Sequence, residues 1–367
     1  MKKIIFSITS FLFIISITGC SQIAQLNDRL IVQGIGVDYE EDKYEVTLQV
    51  LNVKSKGETS QEVPKEVEIV KNSGRTITEA ISKIKEKNGK DPLFAQTLLI
   101  VIGNDAAKNG FKKFIDFFTR DYEFSPLIEV IIAEDKASDI LSLEKDEETL
   151  SAENIVSISK LSSNKSKGFN SNIGNIVSDL KNEFLQAKAL FVSVTEKSDQ
   201  KELNINKLAI FKDDKICDVL DEDLTKGFLL IRARTRGVPD IVSSDELSNI
   251  TYYIIKSKSD INISEKNDKL KINIPIDVEI KILEADREIS KDDYSKIKEL
   301  VRNRLKGMAE KSLKRAIIED ETDIFGFSSV YLRKNLIYEG KTPSDVKNLL
   351  KNSDFEIDIK VTIESDR

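Results

Sequence analysis

The stretches RLIVQGIGVD (residues 29–38) and KYEVTLQVLNV (residues 43–53) carry the clearest structural pattern of the N-terminal half. Both are rich in β-branched residues, and in the second one Tyr44, Val46, Leu48 and Val50 alternate with polar residues. A period of two is typical of a strand with one buried face. Because only residues 39–42 separate the two stretches, the sequence predicts a β-hairpin.

The glycines of the first stretch favour a structural role. Gly34 and Gly36 resemble the start of a dinucleotide-binding motif, but position 39 is Tyr39 instead of glycine and no helix pattern follows. Glycine within a strand permits a bulge or the close approach of another segment. We therefore expect a close crossing or a bulge here, and no nucleotide site.

Further along, the pattern alternates between helix and strand. Thr76 and Glu79 form a capping box before apolar residues at helical spacing, and the pattern ends at Gly89. Two apolar runs, 98–102 and 127–133, flank an amphipathic segment that carries Phe111, Phe114, Ile115 and Phe118, which predicts strand, helix, strand. Three further helices are predicted over residues 136–143, 152–161 and 176–186.

Residues 157–175 are rich in serine, asparagine, lysine and glycine, so we expect either a long exposed loop or a partly disordered one, without core residues. The polar residues 197–202 predict the main domain boundary. The predicted division is residues 20–200 and residues 203–367.

The second half favours a different arrangement. Residues 204–212 and 215–219 predict a hairpin around Asp213-Asp214, and residues 251–264 pair with 269–283, so this half is expected to open as a β-meander. Residues 290–317 predict one long amphipathic helix, and residues 355–363 a strand with one buried face. The expected fold class is α/β (α+β), with mixed β-sheets flanked by helices in two to three domains.

The N-terminus has the features of a lipoprotein signal peptide. Lys2 and Lys3 precede an apolar stretch, residues 4–17, and Thr18-Gly19 precede Cys20. About 14 apolar residues are too few for a transmembrane helix, which needs roughly 20. We expect residues 1–19 to be removed and Cys20 to be lipidated, which would anchor the chain to a membrane.

Composition excludes several classes of function. Removal of Lys2 and Lys3 would change the net charge from −7 to −9, and so acidic a chain lacks the positive field that nucleic-acid binding needs. Cys217 is the second of two cysteines, so no intramolecular disulfide is expected once Cys20 is lipidated. Cys217 lies in a strand pattern, which favours a small buried residue over a reactive thiol.

The chain has no histidine, which excludes histidine-dependent triads, the usual zinc sites and a histidine pH switch. Gly340-Lys341-Thr342 lacks the earlier glycine of a phosphate-binding loop, because position 335 is Asn335. The acidic residues from Asp221 onward fail as a calcium loop, since Arg232 stands where the glutamate is needed. We therefore expect no enzyme activity, no cofactor and no metal site.

Several segments, in order, resemble the signatures of the Ger(x)C family of spore germination lipoproteins. They are residues 26–38 with the Gly-Ile-Gly-Val-Asp core, Gly74-Arg75-Thr76, residues 117–121, the hairpin residues 208–215, and Asp323-Ile324-Phe325-Gly326-Phe327. The sequence departs from the family at Phe94-Ala95-Gln96, where many members carry Phe-Gly-His, and it has no tryptophan.

The resemblance implies a lipid-anchored subunit of a spore germinant receptor, on the outer face of the spore inner membrane. Its partners would be the membrane and two integral-membrane receptor subunits; whether it contacts the germinant itself is left open. The alternative function is a solute-binding lipoprotein of a transporter, although such proteins have two similar lobes. Within the signatures, Gly326 is expected to end the long helix while Phe325 and Phe327 pack into a sheet, or else the segment contacts a partner.

Overall fold

A computed structural model describes residues 29–53, 65–110, 112–120, 124–145, 148–164, 171–197, 200–232, 235–266, 269–334 and 342–364. The predicted signal peptide and Cys20 lie outside these residues, so lipidation stays a prediction. The described residues form a larger mixed sheet, a smaller mixed sheet, a two-stranded hairpin and helices that pack on the two main sheets.

The larger sheet combines a parallel centre with antiparallel edges. Its described strands are β1 (Arg29–Glu40), β2 (Lys43–Val53), β3 (Lys65–Gly74), β4 (Asp91–Leu93), β5 (Leu99–Ile102), β6 (Glu129–Ala133), β9 (Lys188–Lys197), β10 (Gln200–Lys212) and β11 (Lys215–Leu220). The order is β11-β10-β9-β6-β5-β1-β2-β3, and β4 pairs with the start of β1. Strands β9, β6, β5 and β1 are parallel, and β5 and β6 are buried throughout, as expected for central strands covered on both faces.

Helices cover both faces of this sheet. One face carries α1 (Ile77–Asn88), α2 (Asn104–Asn109), α3 (Lys112–Arg120) and α6 (Ile173–Lys181). The other face carries α4 (Ala137–Leu141) and α5 (Ala152–Asn164), with the small hairpin β7 (Glu144–Lys145) and β8 (Glu148–Thr149) between them.

The local predictions for the first part of the chain are confirmed. Strands β1 and β2 form the hairpin, and Glu41 and Asp42 both have positive φ, as a tight two-residue turn requires. Helix α1 begins after Thr76, whose side chain accepts the Glu79 N–H, and ends at Gly89 in the left-handed conformation.

The prediction of an exposed loop over residues 157–175 is wrong where the structure describes the chain. Residues 157–164 belong to α5, and α6 begins at Ile173, which is buried. Ser159 and Ser171 are also buried. Residues 165–170 lie outside the described part.

Serine-rich composition does not indicate an exposed loop here, because the buried hydroxyls of Ser159 and Ser171 both have hydrogen-bond partners. Ser159 donates to the Glu129 carboxylate at 2.9 Å, while Ser171 donates to the Val130 carbonyl and accepts the Leu190 N–H at 3.0 Å. A serine that satisfies its hydroxyl in this way is compatible with a core position.

The predicted C-terminal meander is confirmed over residues 238–285, where the strands pair antiparallel in succession, but the first predicted hairpin is not part of it. The hairpin of β10 and β11 forms as predicted, but β10 also pairs with β9 and so extends the larger sheet. The larger sheet therefore continues across residues 200–203, while the division of the chain into domains stays a prediction.

The smaller sheet contains β12 (Val238–Ser244), β13 (Ser248–Ser259), β14 (Asn262–Lys266), β15 (Lys269–Ala285) and β16 (Asp354–Ile363). Strand β12 pairs with β13, and β13 and β14 pair antiparallel with successive stretches of β15, residues 276–285 and 269–273. Strand β16 pairs in parallel with the other edge of β15. The strand predicted over 355–363 is confirmed, with Ile357, Ile359 and Val361 buried on one face.

This sheet packs against four helices, α7 (Glu222–Ile231), α8 (Asp293–Leu313), α9 (Phe327–Lys334) and α10 (Pro343–Lys351). The predicted long helix corresponds to α8, which continues as a π-helix over Lys314–Glu319. Helices α7 and α8 cross closely, because a Cβ at Gly227 would lie only 2.2 Å from the Met308 carbonyl oxygen.

Candidate functional site: the junction between the two sheets

The Gly-Ile-Gly-Val-Asp segment is structural. A Cβ at Gly34 or Gly36 would lie 3.0 Å from the Leu141 side chain, so both glycines allow α4 to approach β1. Asp38 then accepts the N–H groups of Ala137 at 2.7 Å and Ser138 at 3.0 Å, which caps α4. Burial raises the pKa of Asp38, and the two N–H donors oppose that rise. The expectation of a close crossing is therefore confirmed.

Gln49 completes this arrangement and was missed by sequence reasoning. Its fully buried side chain donates to the carbonyls of Leu141 at 2.9 Å and Leu150 at 3.0 Å, and accepts the Ala152 N–H. One amide thus joins the end of α4 to the start of α5. Alternation along β2 places Gln49 on the face opposite Leu48 and Val50, which the pattern predicts to be exposed, so no local signal indicated its role.

The segment Asp323–Phe327 lies where the two sheets meet. The buried carboxylate of Asp323 accepts the N–H groups of Gly326 at 2.8 Å, Phe327 at 3.1 Å and Ser328 at 2.7 Å, which caps α9. Burial raises the pKa of Asp323, and these donors oppose the rise. Three backbone donors satisfy this buried carboxylate, which fixes the local backbone.

The two phenylalanines of this segment are core residues. Phe325 stacks on Phe327 with ring centroids 5.2 Å apart, and these rings continue to Phe228 and Phe355. Gly326 has a φ of 77°, which explains the glycine between the rings. The prediction that the rings pack inward is confirmed; the prediction that Gly326 ends the long helix is wrong, because the helical residues stop at Glu319.

Backbone contacts tie this segment to the larger sheet. Gln186, just before β9, accepts the Asp323 N–H with its side-chain oxygen and donates its own N–H to the Asp323 carbonyl at 3.4 Å. From the other half, Arg232 donates to the Phe325 carbonyl at 2.8 Å. The segment therefore joins the two sheets.

The exposed side of the junction is a cluster of charges around Glu321, which we call the junction rim. Glu321 pairs with Lys351 at 2.7 Å, Lys347 at 3.3 Å and Lys212 at 3.6 Å. The lysines, Lys351 foremost, lower the pKa of Glu321 to about 2. A cleft of about 230 Å³ lies beside the rim and is lined by Glu183, Phe184, Lys212, Pro343 and Lys347 among others. The structure thus brings together two signature segments, the hairpin and Asp323–Phe327.

Cys217 does not match its prediction. It is exposed and occupies a bulge, since Ile210 pairs with Asp218 whereas Phe211 pairs with Ile216. Partial burial of the sulfur raises the pKa of Cys217 to about 11, helped by the charges of Asp320 and Asp218. The thiol is therefore exposed but poorly nucleophilic at neutral pH.

Within the described ranges no group of three or more Asp, Glu or Cys side chains has the geometry to hold a metal ion. None of the helices in these ranges is both long and apolar enough to cross a membrane. The predicted lipidation site, Cys20, and Asp121, the last residue of the signature at residues 117–121, both lie outside the described residues.

Two family models match the chain in succession. Residues 22–190 match the spore germination protein N-terminal domain, and residues 206–366 match the domain described as spore germination B3/GerAC-like, C-terminal. A putative spore germination protein of Bacillus subtilis (strain 168), YfkR, is 26% identical over 286 residues, which cover 75% of this chain and 74% of that protein. Spore germination protein KC of the same organism is 29% identical over 151 residues, covering 39% of this chain and 37% of that protein.

The fold also has a counterpart among solved structures. The crystal structure of the GerBC protein superimposes with a TM-score of 0.61 at 18% identity, covering 90% of this chain and 97% of that chain. At this identity the likeness establishes the shared fold, and the family models supply the relationship. This chain therefore belongs to the GerAC-like, or Ger(x)C, family of spore germination proteins.

Proposed function

We propose that this protein is the lipid-anchored subunit of a spore germinant receptor, required for nutrient-triggered germination through contacts with other proteins at the membrane. The observation that carries the proposal is the succession of two spore germination family models over residues 22–190 and 206–366. The signature residues that the structure describes cap helices, pack rings or join sheets, which fits a role in assembly better than one in catalysis.

The proposed anchor is Cys20, on the outer face of the spore inner membrane. The family match begins at residue 22, two positions after this cysteine. A diacylglyceryl group with a further acyl chain exceeds the marginal hold of a single chain, so attachment would be stable. Confinement near the membrane raises the effective concentration around partners, and a modest protein interface then suffices.

The proposed partners are two integral-membrane receptor subunits, and the junction rim is the surface we assign to one of them. It is exposed, it flanks the rigid segment Asp323–Phe327, and its charges come from three separate elements. Charged residues held beside a rigid element suit recognition more than stability, since exposed ion pairs contribute only about 0–1 kcal/mol each.

The alternative function, a solute-binding lipoprotein of a transporter, has less support. Such a protein would have two similar lobes, whereas the larger sheet here has a parallel centre and the smaller one is largely antiparallel.

The anchor is tested by labelling sporulating cells with a radioactive fatty acid. The wild-type chain should take up label and fractionate with membranes, and Cys20→Ala should do neither. Label on the Cys20→Ala chain would contradict the proposed anchor.

The receptor role is tested by deleting the gene and measuring germination against a panel of nutrients and bile salts. Loss of the response to at least one germinant, restored by the wild-type gene, is expected. An unchanged response to every germinant in a strain without a second receptor would contradict the role.

The junction rim is tested by charge reversal. Lys347→Glu with Lys351→Glu should slow germination while the chain stays lipidated, folded and membrane-bound. The matched control is Lys83→Glu with Lys87→Glu, which has the same spacing on α1 and should leave germination unchanged. Equal effects of the two pairs would argue against a specific surface.

A further inference from the structure

A long groove lies on the α4 and α5 side of the larger sheet, away from the junction rim. It has a volume of about 940 Å³ and runs between α4 with the β7–β8 hairpin on one side and the ends of β9 and β10 on the other. Leu203, in the groove, and Lys212, at the junction rim, are nine residues apart on β10, or roughly 30 Å. We call this the β9 groove, and it is separate from the junction.

One wall of the β9 groove is a strand edge that no described strand covers. The ladder between β6 and β9 ends where the Glu134 N–H donates to the Val192 carbonyl at 2.8 Å, and the chain then turns into α4. Strand β9 continues to Lys197, and over residues 193–197 it pairs only with β10 among the described strands. Its backbone groups on the other edge are thus placed to pair with an added strand.

The floor of the groove is apolar. Val194 on β9 and Leu203 on β10 are cross-strand partners, and both line the groove together with Ile140, Leu143, Leu150 and Ile158. Val194, Leu203 and Ile158 are only partly buried. An extended segment on this edge would therefore place every second side chain on apolar surface.

The rim of the groove is acidic. Two lysines, Lys136 and Lys201, face six carboxylates, which are Glu134, Asp135, Asp139, Glu144, Glu196 and Glu202. Lys136 is engaged by Glu40 at 3.0 Å, and Glu134 lies 3.6 Å from Lys207. The other five carboxylates make no ion pair with any residue in the described part of the chain, so the surplus of negative charge faces the groove.

We infer that the β9 groove binds an extended basic segment of a partner protein, which adds as a strand to residues 193–197 of β9. The uncovered edge supplies backbone hydrogen bonds, the floor takes alternate apolar side chains, and the carboxylates around the floor attract lysine or arginine. Five residues of strand span roughly 16 Å, so the recognised segment is about five or six residues long. This inference deepens the proposed function by naming the partner's chemistry, but its test does not depend on germination.

The test uses the full mature chain in detergent and fluorescence anisotropy with defined peptides. The main probe is an acetylated and amidated octapeptide in which lysine and valine alternate; the charge control alternates glutamate and valine. Two further probes carry N-methyl groups on all lysine amides or on all valine amides, which block one backbone edge each. The lysine–valine probe should bind, the glutamate–valine probe should not, and at least one N-methylated probe should bind roughly tenfold more weakly.

A charge reversal locates the site. Glu196→Lys with Glu202→Lys should weaken binding of the lysine–valine probe by roughly tenfold or more, since both residues lie on the rim. The matched control is Glu86→Lys with Glu284→Lys, which changes the net charge equally at exposed positions on α1 and β15 and should change binding less than twofold. Circular dichroism of both variants checks that they fold.

Three results would overturn the inference. Equal binding of both N-methylated probes and their parent would mean attraction by charge without strand addition. Equal weakening by the groove and control reversals would mean that the groove is not the site. A concentration-dependent dimer in sedimentation, lost in the groove reversal, would assign the groove to a second copy of the chain instead.

Discussion

Gly103→Ala tests whether the Gly-Ile-Gly-Val-Asp segment acts by holding Asp38 against α4. The backbone of Gly103 has φ −65° and ψ 154°, which any residue can adopt, so only space demands glycine here. A Cβ at this position would lie 2.1 Å from Asp38 Oδ1 and 3.3 Å from the Asp135 carbonyl oxygen. The carboxylate would have to move by roughly 1 Å to restore ordinary contact.

That movement breaks the 2.7 Å hydrogen bond from the Ala137 N–H. Loss of a helix cap costs about 1–2 kcal/mol, and an overpacked core site costs about 1–3 kcal/mol. Gly103→Ala should therefore lower the free energy of unfolding by about 2–4 kcal/mol. Asp38→Ala alone should cost about 1–2 kcal/mol for the cap.

The double variant distinguishes this explanation from general sensitivity of the site. Without the Asp38 carboxylate the new methyl group has room, so the double variant should cost about as much as Asp38→Ala alone, which corresponds to a coupling of about 2–4 kcal/mol. Guanidinium denaturation of the Cys20→Ala chain without residues 1–19, followed by circular dichroism, measures all four proteins. Additive costs would show that the Asp38 carboxylate is not what excludes a side chain at position 103.

Gly89→Ala and Gly307→Ala should have opposite effects on stability in thermal melts, although an added Cβ contacts nothing at either site. Gly89→Ala should lower the free energy of unfolding by about 1 kcal/mol, because φ is 65° at that position. Gly307→Ala, within α8, should raise it by up to about 1 kcal/mol. If both substitutions changed the free energy of unfolding in the same direction, this expectation would be wrong. Burial raises the pKa of Glu129 above its usual 4.5, so the folded protein binds this proton more tightly than the unfolded chain does. The free energy of unfolding should therefore fall as the pH rises above 4.5. Glu129→Gln can still accept the Ser159 hydrogen bond and should remove that fall, measured by thermal melts at pH 5 and 7.5. If the wild-type chain became more stable relative to Glu129→Gln as the pH rises from 5 to 7.5, the expected sign would be wrong. With a pKa of about 11, Cys217 should react with iodoacetamide about a hundredfold more slowly than a free thiol at pH 7.5, and unfolding should abolish the difference.

Much of the fold could be predicted because it depends on local patterns. The hairpin of β1 and β2 follows from strict alternation, α1 from Thr76 and Gly89, and β16 from the period of two at residues 355–363. Each of these signals lies within about a dozen residues, and no distant contact overrides it.

What could not be predicted depends on contacts between distant parts of the chain. The hairpin of β10 and β11 is locally clear, but its choice of sheet depends on pairing with β9 across residues 198–199. Helix α5 continues through a serine-rich stretch because Ser159 finds Glu129, 30 residues away. Likewise, Gln49 bonds to Leu141 and Leu150, so its role appears only in three dimensions.

The candidate site shows the same division. The sequence indicated that Asp323–Phe327 follows the long helix and that its rings pack inward, and both features are present. The junction rim could not be foreseen, because it joins Lys212 of the larger sheet to Glu321 and to two lysines of α10. No spacing in the sequence brings those three elements together.

The most direct test of the receptor proposal is purification of the chain, tagged at its C-terminus, from detergent-solubilised spore inner membranes. Mass spectrometry should identify two integral-membrane germinant receptor subunits that co-purify with the wild-type chain, with reduced recovery for Cys20→Ala because the tether is lost. Co-purification of a permease with its ATPase, or a membrane-bound chain that retains neither receptor subunit, would contradict the proposal.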